Sequence, residues 1–203
     1  MSPDGLQPDN AGSRRFVSRG GLKLEHALRS FALDVRGWTC ADLGCSTGGF
    51  VDCLLKHGAA RVFAVDTGYG VLDWSLRKDI RVVVMERTNA MHVMLPEPVE
   101  LVTIDVAWTR QKHILPTAAR LVKPGGRVVT LIKPHYEASA SQLVRGILRA
   151  EHLHAVLASV DDDISAAGFE TLALTESPIL GSKGNREVLA LLRHAAAPHR
   201  LAP

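Results

Sequence analysis

Several features that would each fix a class are missing from this sequence. No apolar run approaches the ~20 residues that a bilayer-spanning helix needs, so no membrane partner is expected. The first residues, MSPDGLQPDNAGSRR, lack the apolar core of a secretory signal. The three cysteines, Cys40, Cys45 and Cys53, form no C-x-x-C and are odd in number. All three crowd beside one turn, which argues for reduced, buried thiols and a cytoplasmic location. No His/Cys/Asp grouping has metal-ligand spacing, so no metal is expected. The dinucleotide fingerprint G-x-G-x-x-G is absent, and no Walker lysine follows the glycines. Charge of one sign is not in large excess: the net charge of +3 permits a nucleic-acid partner without demanding one.

What is present is a chain of 203 residues, 46% apolar and 22% charged, long enough for one domain with a full core. It is organised around WTCADLGCSTGGFVDCLLKHGAARVFAVD, Trp38 to Asp66. A strand ends on Asp42 and Gly44, and Cys45-Ser46-Thr47-Gly48-Gly49 makes a small polar turn. A helix follows from Phe50 to about His57, then a strand Arg61–Val65 that stops on Asp66. Strand, glycine turn, helix, strand and acid are the plan of a nucleotide-binding βαβ unit. A carboxylate at the second strand's tip suits both hydroxyls of a ribose. Without phosphate-binding signatures, D-x-G-x-S-T-G-G-F suits S-adenosylmethionine, with Asp42 accepting from its ammonium group. A tight βα connection with no ligand would show the same glycine turn; Asp66 at the expected distance weighs against it.

Taken in order, residues 1–15 read as a disordered tail, 16–195 as one folded domain and 196–203 as a second tail. Ser18 is a plausible N-cap for a helix that places Leu24, Ala27, Leu28 and Phe31 on one face. Lys23 lies off that stripe, where a solvated helix lysine is the plain alternative. Arg14, Arg15 and Arg19 form a basic strip fit for phosphate contacts, or for ordinary surface. Further strands are expected at Ile80–Glu86, Glu100–Val106 and Arg127–Ile132, with Asn89 placed for an adenine and Lys133 at the last strand's end. A helix is expected over Gln111–Val122, and helical chain over 139 to about 167. Phe169–Thr175 and Glu187–Leu192 close the pattern as a strand pair joined by SPILGSKGN. The sum is an α/β, Rossmann-like doubly wound sheet of seven mostly parallel strands with an N-terminal helical extension.

Ligands of such sheets sit beyond the carboxyl ends of the strands, where Asp42, Asp66, Glu86, Asp105 and Lys133 all fall. Methyl transfer from a sulfonium to a hydroxyl needs aligned reactants and a group that takes the hydroxyl proton. Lys133, with Lys23 brought over by the N-terminal helix, can be such a pair, oriented by Asp105 and Glu187. A surface salt bridge between Lys133 and Glu187 is the plain alternative. Trp108 and Tyr136 flank these residues and can stack on a base or pack in a loop.

FVSRGGLKLEHAL, DLGCSTGGFVDCLLKHGAARVFAVDTGYGVLDWSLRKD, RVVVMERTNA, IDV, LVKPGGRVVTLIKPHYEA and GNREVLALL together resemble the methyltransferase domain of the TlyA (haemolysin A) family, within the FtsJ-like ribose methyltransferases. The resemblance runs from about Phe16 to Leu192. It implies methylation of ribosomal RNA ribose 2′-hydroxyls with S-adenosylmethionine, through a Lys-Asp-Lys-Glu tetrad. By motif the tetrad falls on Lys23, Asp105, Lys133 and Glu187, and the cofactor on Asp42, Gly44, Ser46, Thr47, Gly48, Gly49, Phe50, Asp66, Glu86, Asn89 and Asp105. Three departures stand beside it. No S4 RNA-binding module is legible ahead of Arg14, which leaves room for a separate RNA-binding protein. The family's D-V-S-F-I-S reads Asp105-Val106-Ala107-Trp108-Thr109-Arg110, and a glycine-rich segment is replaced by EASASQLVRGILRAEH, expected helical. A methyltransferase of small molecules or proteins, and a non-catalytic RNA-binding or cytolytic protein, are the competing readings. The RNA, the nucleotide and the oligomeric state are not specified by the sequence.

Overall fold

The computed structural model describes residues 15–194. The expectations for Arg14 and for both tails, Arg15 aside, fall outside them. The strands are β1 (Thr39–Leu43), β2 (Arg61–Val65), β3 (Val82–Met85), β4 (Val99–Ile104), β5 (Val122–Ile132), a short pair β6 (Leu143–Val144) and β7 (Ile147–Leu148), β8 (Phe169–Glu176) and β9 (Val188–His194). Seven of them form one sheet in the order β3-β2-β1-β4-β5-β9-β8. The first five are parallel, and β9 runs antiparallel between β5 and β8.

Apolar residues in nearly every strand position are what a sheet covered on both faces requires. Alternate residues supply two separate cores. Cys40, Val62, Leu101, Val129 and Leu189 face α1 (Gly20–Ser30) and α2 (Gly49–Lys56). Ala41, Phe63, Val102, Val128 and Ala190 face α4 (Gln111–Leu121) and α6 (Leu153–Ala166). Two single-turn helices, α3 (Trp74–Arg77) and α5 (Pro134–Glu137), complete the set. The order reverses direction between β1 and β4, and this switch point opens a crevice at the strands' carboxyl ends.

Three expectations need correcting. The stretch from Ser139 to His152, expected helical, is a 3₁₀ turn, the β6–β7 hairpin and a second 3₁₀ turn; only Leu153–Ala166 is α-helix. The hairpin turn puts Arg145 at φ 53° and Gly146 at φ 82°, a backbone that a helix cannot contain. Asn185 fixes it there, accepting from the Leu148 N–H at 3.2 Å and donating to the Gly146 carbonyl at 3.0 Å. Ser18 does not cap α1: Arg19 holds that position, with no side-chain cap. Finally, β5 begins at Val122 and not at Arg127, the chain becoming extended as soon as α4 ends.

Candidate active site

Gly44 closes the β1–α2 turn at φ 88°, and a Cβ there would come within 2.7 Å of the Asp105 carbonyl oxygen. Only glycine lets the ends of β1 and β4 approach so closely. A cleft of about 390 Å³ opens on one side of this contact, lined by Lys23, Asp42, Thr47, Phe50, Asp105 and Lys133 among others. A second cavity of about 330 Å³ lies on the other side, lined by Asp66, Asn89, Met91 and Trp108 among others. Gly44, Ser46 and Asp105 border both, so the two form a continuous groove across the switch point.

Asp42 is buried at the inner end. One carboxylate oxygen accepts from the Thr103 hydroxyl at 2.7 Å, across the β1–β4 register. The other, Oδ2, has no hydrogen-bond partner among the described residues. Burial pushes the carboxyl up to about 7, the Thr103 bond opposes this, and the charges of Asp105 and Asp66 add to the rise. An acceptor orphaned in a cleft calls for a cationic partner. Asp66 accepts from the Ser46 N–H at 2.9 Å and the Gly68 N–H at 2.7 Å, which fixes its carboxylate at the tip of β2. A carboxylate has about four acceptor sites, so two hydroxyls can still be held there.

Two members of the expected cofactor set do not reach the groove. Glu86, at the end of β3, accepts from the N–H groups of Gly70, Val71 and Leu72 at 2.8–3.2 Å and pairs with Arg77. The Arg77 bond and these amides hold its carboxyl down to about 2. Its work is to fasten the 70–72 loop. Gly48, at φ 101°, faces the Leu72 and Leu76 side chains and serves packing against α3. Ser46, Thr47, Gly49 and Phe50 do line the cleft.

The tetrad residues, remote in sequence, stand in two ion pairs. Lys133 Nζ is 2.7 Å from Asp105 Oδ1 and donates to the Val106 carbonyl at 3.0 Å. Lys23 Nζ donates to Glu187 Oε2 at 2.6 Å. The expected partners are thus brought together, but as Lys133–Asp105 and Lys23–Glu187, so the salt bridge weighed between Lys133 and Glu187 does not form. The two lysines and Asp105 line the cleft, while Glu187 lies behind Lys23 under the Gly181 turn. Lys23 reaches this place because the chain before α1 is strapped down: Phe16 packs on Gly21 and the Val17 N–H donates to Asp52 at 2.9 Å.

Arg15 pairs with the buried Glu25, an acid that the helical pattern gave no reason to single out. Arg15 does not line the cleft, whereas Arg19 does. Trp108 sits at φ 62° and is 84% exposed, its ring 5.1 Å from that of Tyr136, so it is not a loop-core residue. Both rings border a small cavity of about 160 Å³ with His135, Gly146 and Lys183. His135 Nδ1 is buried without a partner among the described residues, and burial lowers its affinity for a proton. Thr103 is a site neighbour that sequence reasoning missed. Thr103 is one β-branched residue in an apolar strand, and only the register puts it opposite Asp42. Cys40, Cys45 and Cys53 are free and buried, as expected. Among the described residues no helix is long and apolar enough to cross a membrane.

The sequence pattern of the FtsJ-like methyltransferases matches residues 16–194. YqxC of Bacillus subtilis is 44% identical over 181 residues, covering 86% of this chain and 64% of YqxC. The chain thus spans just under two thirds of that relative. The 16S/23S rRNA (cytidine-2′-O)-methyltransferase TlyA of Mycobacterium tuberculosis is 40% identical over 190 residues, covering 89% of this chain and 69% of TlyA. The solved structure of a hemolysin-named protein from Streptococcus thermophilus superposes with a TM-score of 0.88 at 41% identity, covering 93% of this chain and 70% of that one. With its groove at the switch point of a class I methyltransferase sheet, the chain belongs to the FtsJ-like methyltransferase family, whose cofactor is S-adenosylmethionine.

Proposed function

We propose that this chain moves the methyl group of S-adenosylmethionine onto a ribose 2′-hydroxyl of RNA, with ribosomal RNA as the substrate class, through Lys23, Asp105, Lys133 and Glu187. The observation that carries this reading is the meeting of two lysine–carboxylate pairs beside one groove, from four distant parts of the chain. The name of TlyA, at 40% identity, directs the acceptor to an RNA ribose.

The residues present fit the cofactor. The orphan oxygen of Asp42 would take its ammonium group, Asp66 its ribose hydroxyls, and the cavity beside Asn89 its adenine. When bound, the cofactor supplies a methyl group on a sulfonium centre, ready for in-line displacement. Asp105 and the Val106 carbonyl engage two of the three N–H directions of Lys133, leaving the third for the acceptor oxygen. Lys133 orients that oxygen and is the group placed to take its proton as the methyl is transferred. Lys23, held by Glu187, fixes the ribose from the opposite wall, and Arg19 meets a backbone phosphate. Trp108 and Tyr136 offer faces on which a base stacks.

The test is transfer of label from methyl-labelled S-adenosylmethionine into total RNA, wild type beside Lys133→Ala and Glu187→Ala. Label recovered as an alkali-resistant dinucleotide, and lost in both variants, is the expected result. Cofactor binding with no label in RNA would overturn it and turn the search to small-molecule or protein acceptors.

A further inference from the structure

Gln111 bonds residues that flank Lys133 in the chain on both sides. Three residues before Lys133, the buried Thr130 hydroxyl on β5 donates to Gln111 Oε1 at 2.8 Å. Four residues after it, Glu137 Oε1 accepts from the Gln111 backbone N–H at 2.8 Å. Gln111 is also the first residue of α4, where the loop that begins with Asp105 ends. A closed circuit results. It runs from Asp105 through the loop to Gln111, across to Glu137, back along α5 to Lys133, and over the 2.7 Å ion pair to Asp105.

The residues between β4 and α4 belong to no helix or strand, Trp108 among them at φ 62°. Lys133 itself sits at φ −112°, ψ 89°, between a strand and a single-turn helix. Remove the Glu137 bond and α5 loses its direct tie to the α4 N-terminus, so that only the Thr130 bond still holds Gln111 to β5.

We propose that Glu137 is a positioning residue, holding Lys133 and the Asp105 loop in register through the N-terminus of α4. This rests on the tetrad reading given above. Glu137 needs only an acceptor oxygen for the task, not a charge. Burial raises its pKa, and the protonated acid still presents a carbonyl oxygen. Glutamine is therefore the isostere that keeps the function, and alanine the change that removes it.

The experiment compares Glu137→Ala and Glu137→Gln with wild type and Lys133→Ala, all as the full chain. It measures single-turnover methyl transfer into total RNA, S-adenosylmethionine affinity and melting temperature. Glu137→Ala is expected to slow transfer by about 10²-fold, the scale of a misplacement near 1 Å, with cofactor affinity unchanged. Glu137→Gln is expected to restore the wild-type rate within about threefold. Wild-type transfer by the alanine variant would overturn the proposal. So would a glutamine variant as slow as alanine, because charge and not position would then be at issue. Parallel loss of melting temperature and cofactor affinity in the alanine variant would reduce Glu137 to a fold residue, and that too overturns it. If Lys133→Ala retains transfer, the tetrad reading falls and takes this proposal with it; if only Glu137→Ala retains it, the tetrad stands alone.

Discussion

Asp42 and Glu86 are acids at the ends of parallel strands on the same edge of the same sheet, and their surroundings are opposite. Asp42, near the end of β1, has one hydroxyl donor and one oxygen with no partner among the described residues, and burial lifts its carboxyl to about 7. Glu86, after β3, has three amide donors and an arginine, which hold its carboxyl to about 2. Strand ends deliver carboxylates to the rim of the sheet whatever their use. The chain packed around the acid decides the rest. Where a neighbouring loop folds onto it, as residues 70–72 between β2 and α3 do on Glu86, the acid is held by the fold. Where the chain turns away at a glycine, as at Gly44, the acid keeps an oxygen that no described residue meets.

The widest separation between binding and chemistry lies across the groove, between this cofactor side and the lysine pairs. Lys133→Ala is expected to lower methyl transfer by about 10²–10⁴-fold, the range for loss of a positioned general base. Cofactor affinity should hold, because Lys133 meets Asp105 and the Val106 carbonyl and none of the residues assigned to the ammonium or adenine ends. Titration calorimetry beside single-turnover kinetics checks the split. An equal fall in both would erase the distinction between the two sides.

The two acids can be set against each other directly. Asp42→Asn is expected to weaken S-adenosylmethionine binding by about 10–10²-fold, the loss of one charge-assisted hydrogen bond. At pH 8 the same change should raise the melting temperature of the unliganded protein, since it removes a buried, half-satisfied charge. Glu86→Gln should do the reverse. It takes the charge from Arg77 and lowers the melting temperature, with protease sensitivity appearing first in the 70–72 loop. Calorimetry and limited proteolysis on both variants would show the crossed pattern. Two variants that move stability in the same direction would end the comparison.

Much of the cofactor side was legible because it is local. Asp42, Gly44 and the turn to Phe50 are consecutive, and Asp66 follows after one helix and one strand. Glu86 and Gly48 do not line the groove, because position in the motif does not fix which neighbours a residue meets: Glu86 bonds the 70–72 loop and Gly48 abuts Leu72 and Leu76. The seven-stranded sheet was legible from apolar runs and their breaks. The acceptor side was not local. Glu187 meets Lys23 across 164 positions; charge and the resemblance pointed to the same four residues, but neither gave which lysine meets which acid. The stretch Ser139–His152 was misread because leucines, isoleucine and alanines suit a helix equally well. Asn185 and the Arg145–Gly146 turn, distant and local signals together, outweigh that propensity.

The smallest expected effect is the response to pH, and its sign differs for the two acids. The folded-state pKa of Asp42 is raised from 3.8 to about 7, so the folded protein holds that proton more tightly than the unfolded chain. Its contribution to stability is full below the unfolded value and is lost as pH rises toward about 7, at up to about 1.4 kcal/mol per unit. Glu86 is lowered from 4.5 to about 2, so its contribution is present above the unfolded value and is lost as pH falls toward about 2. If the cofactor's ammonium group pairs with Asp42 as proposed, it needs Asp42 ionised, so affinity should rise with pH while the unliganded protein loses stability. From pH 6 to pH 8 a single group titrating near 7 gives about a tenfold gain in affinity. Asp42→Asn should bind weakly and equally at both values, since an amide has no proton to give up. A tenfold gain that survives in the variant would move the titrating group elsewhere and leave the orphan oxygen of Asp42 without its ligand.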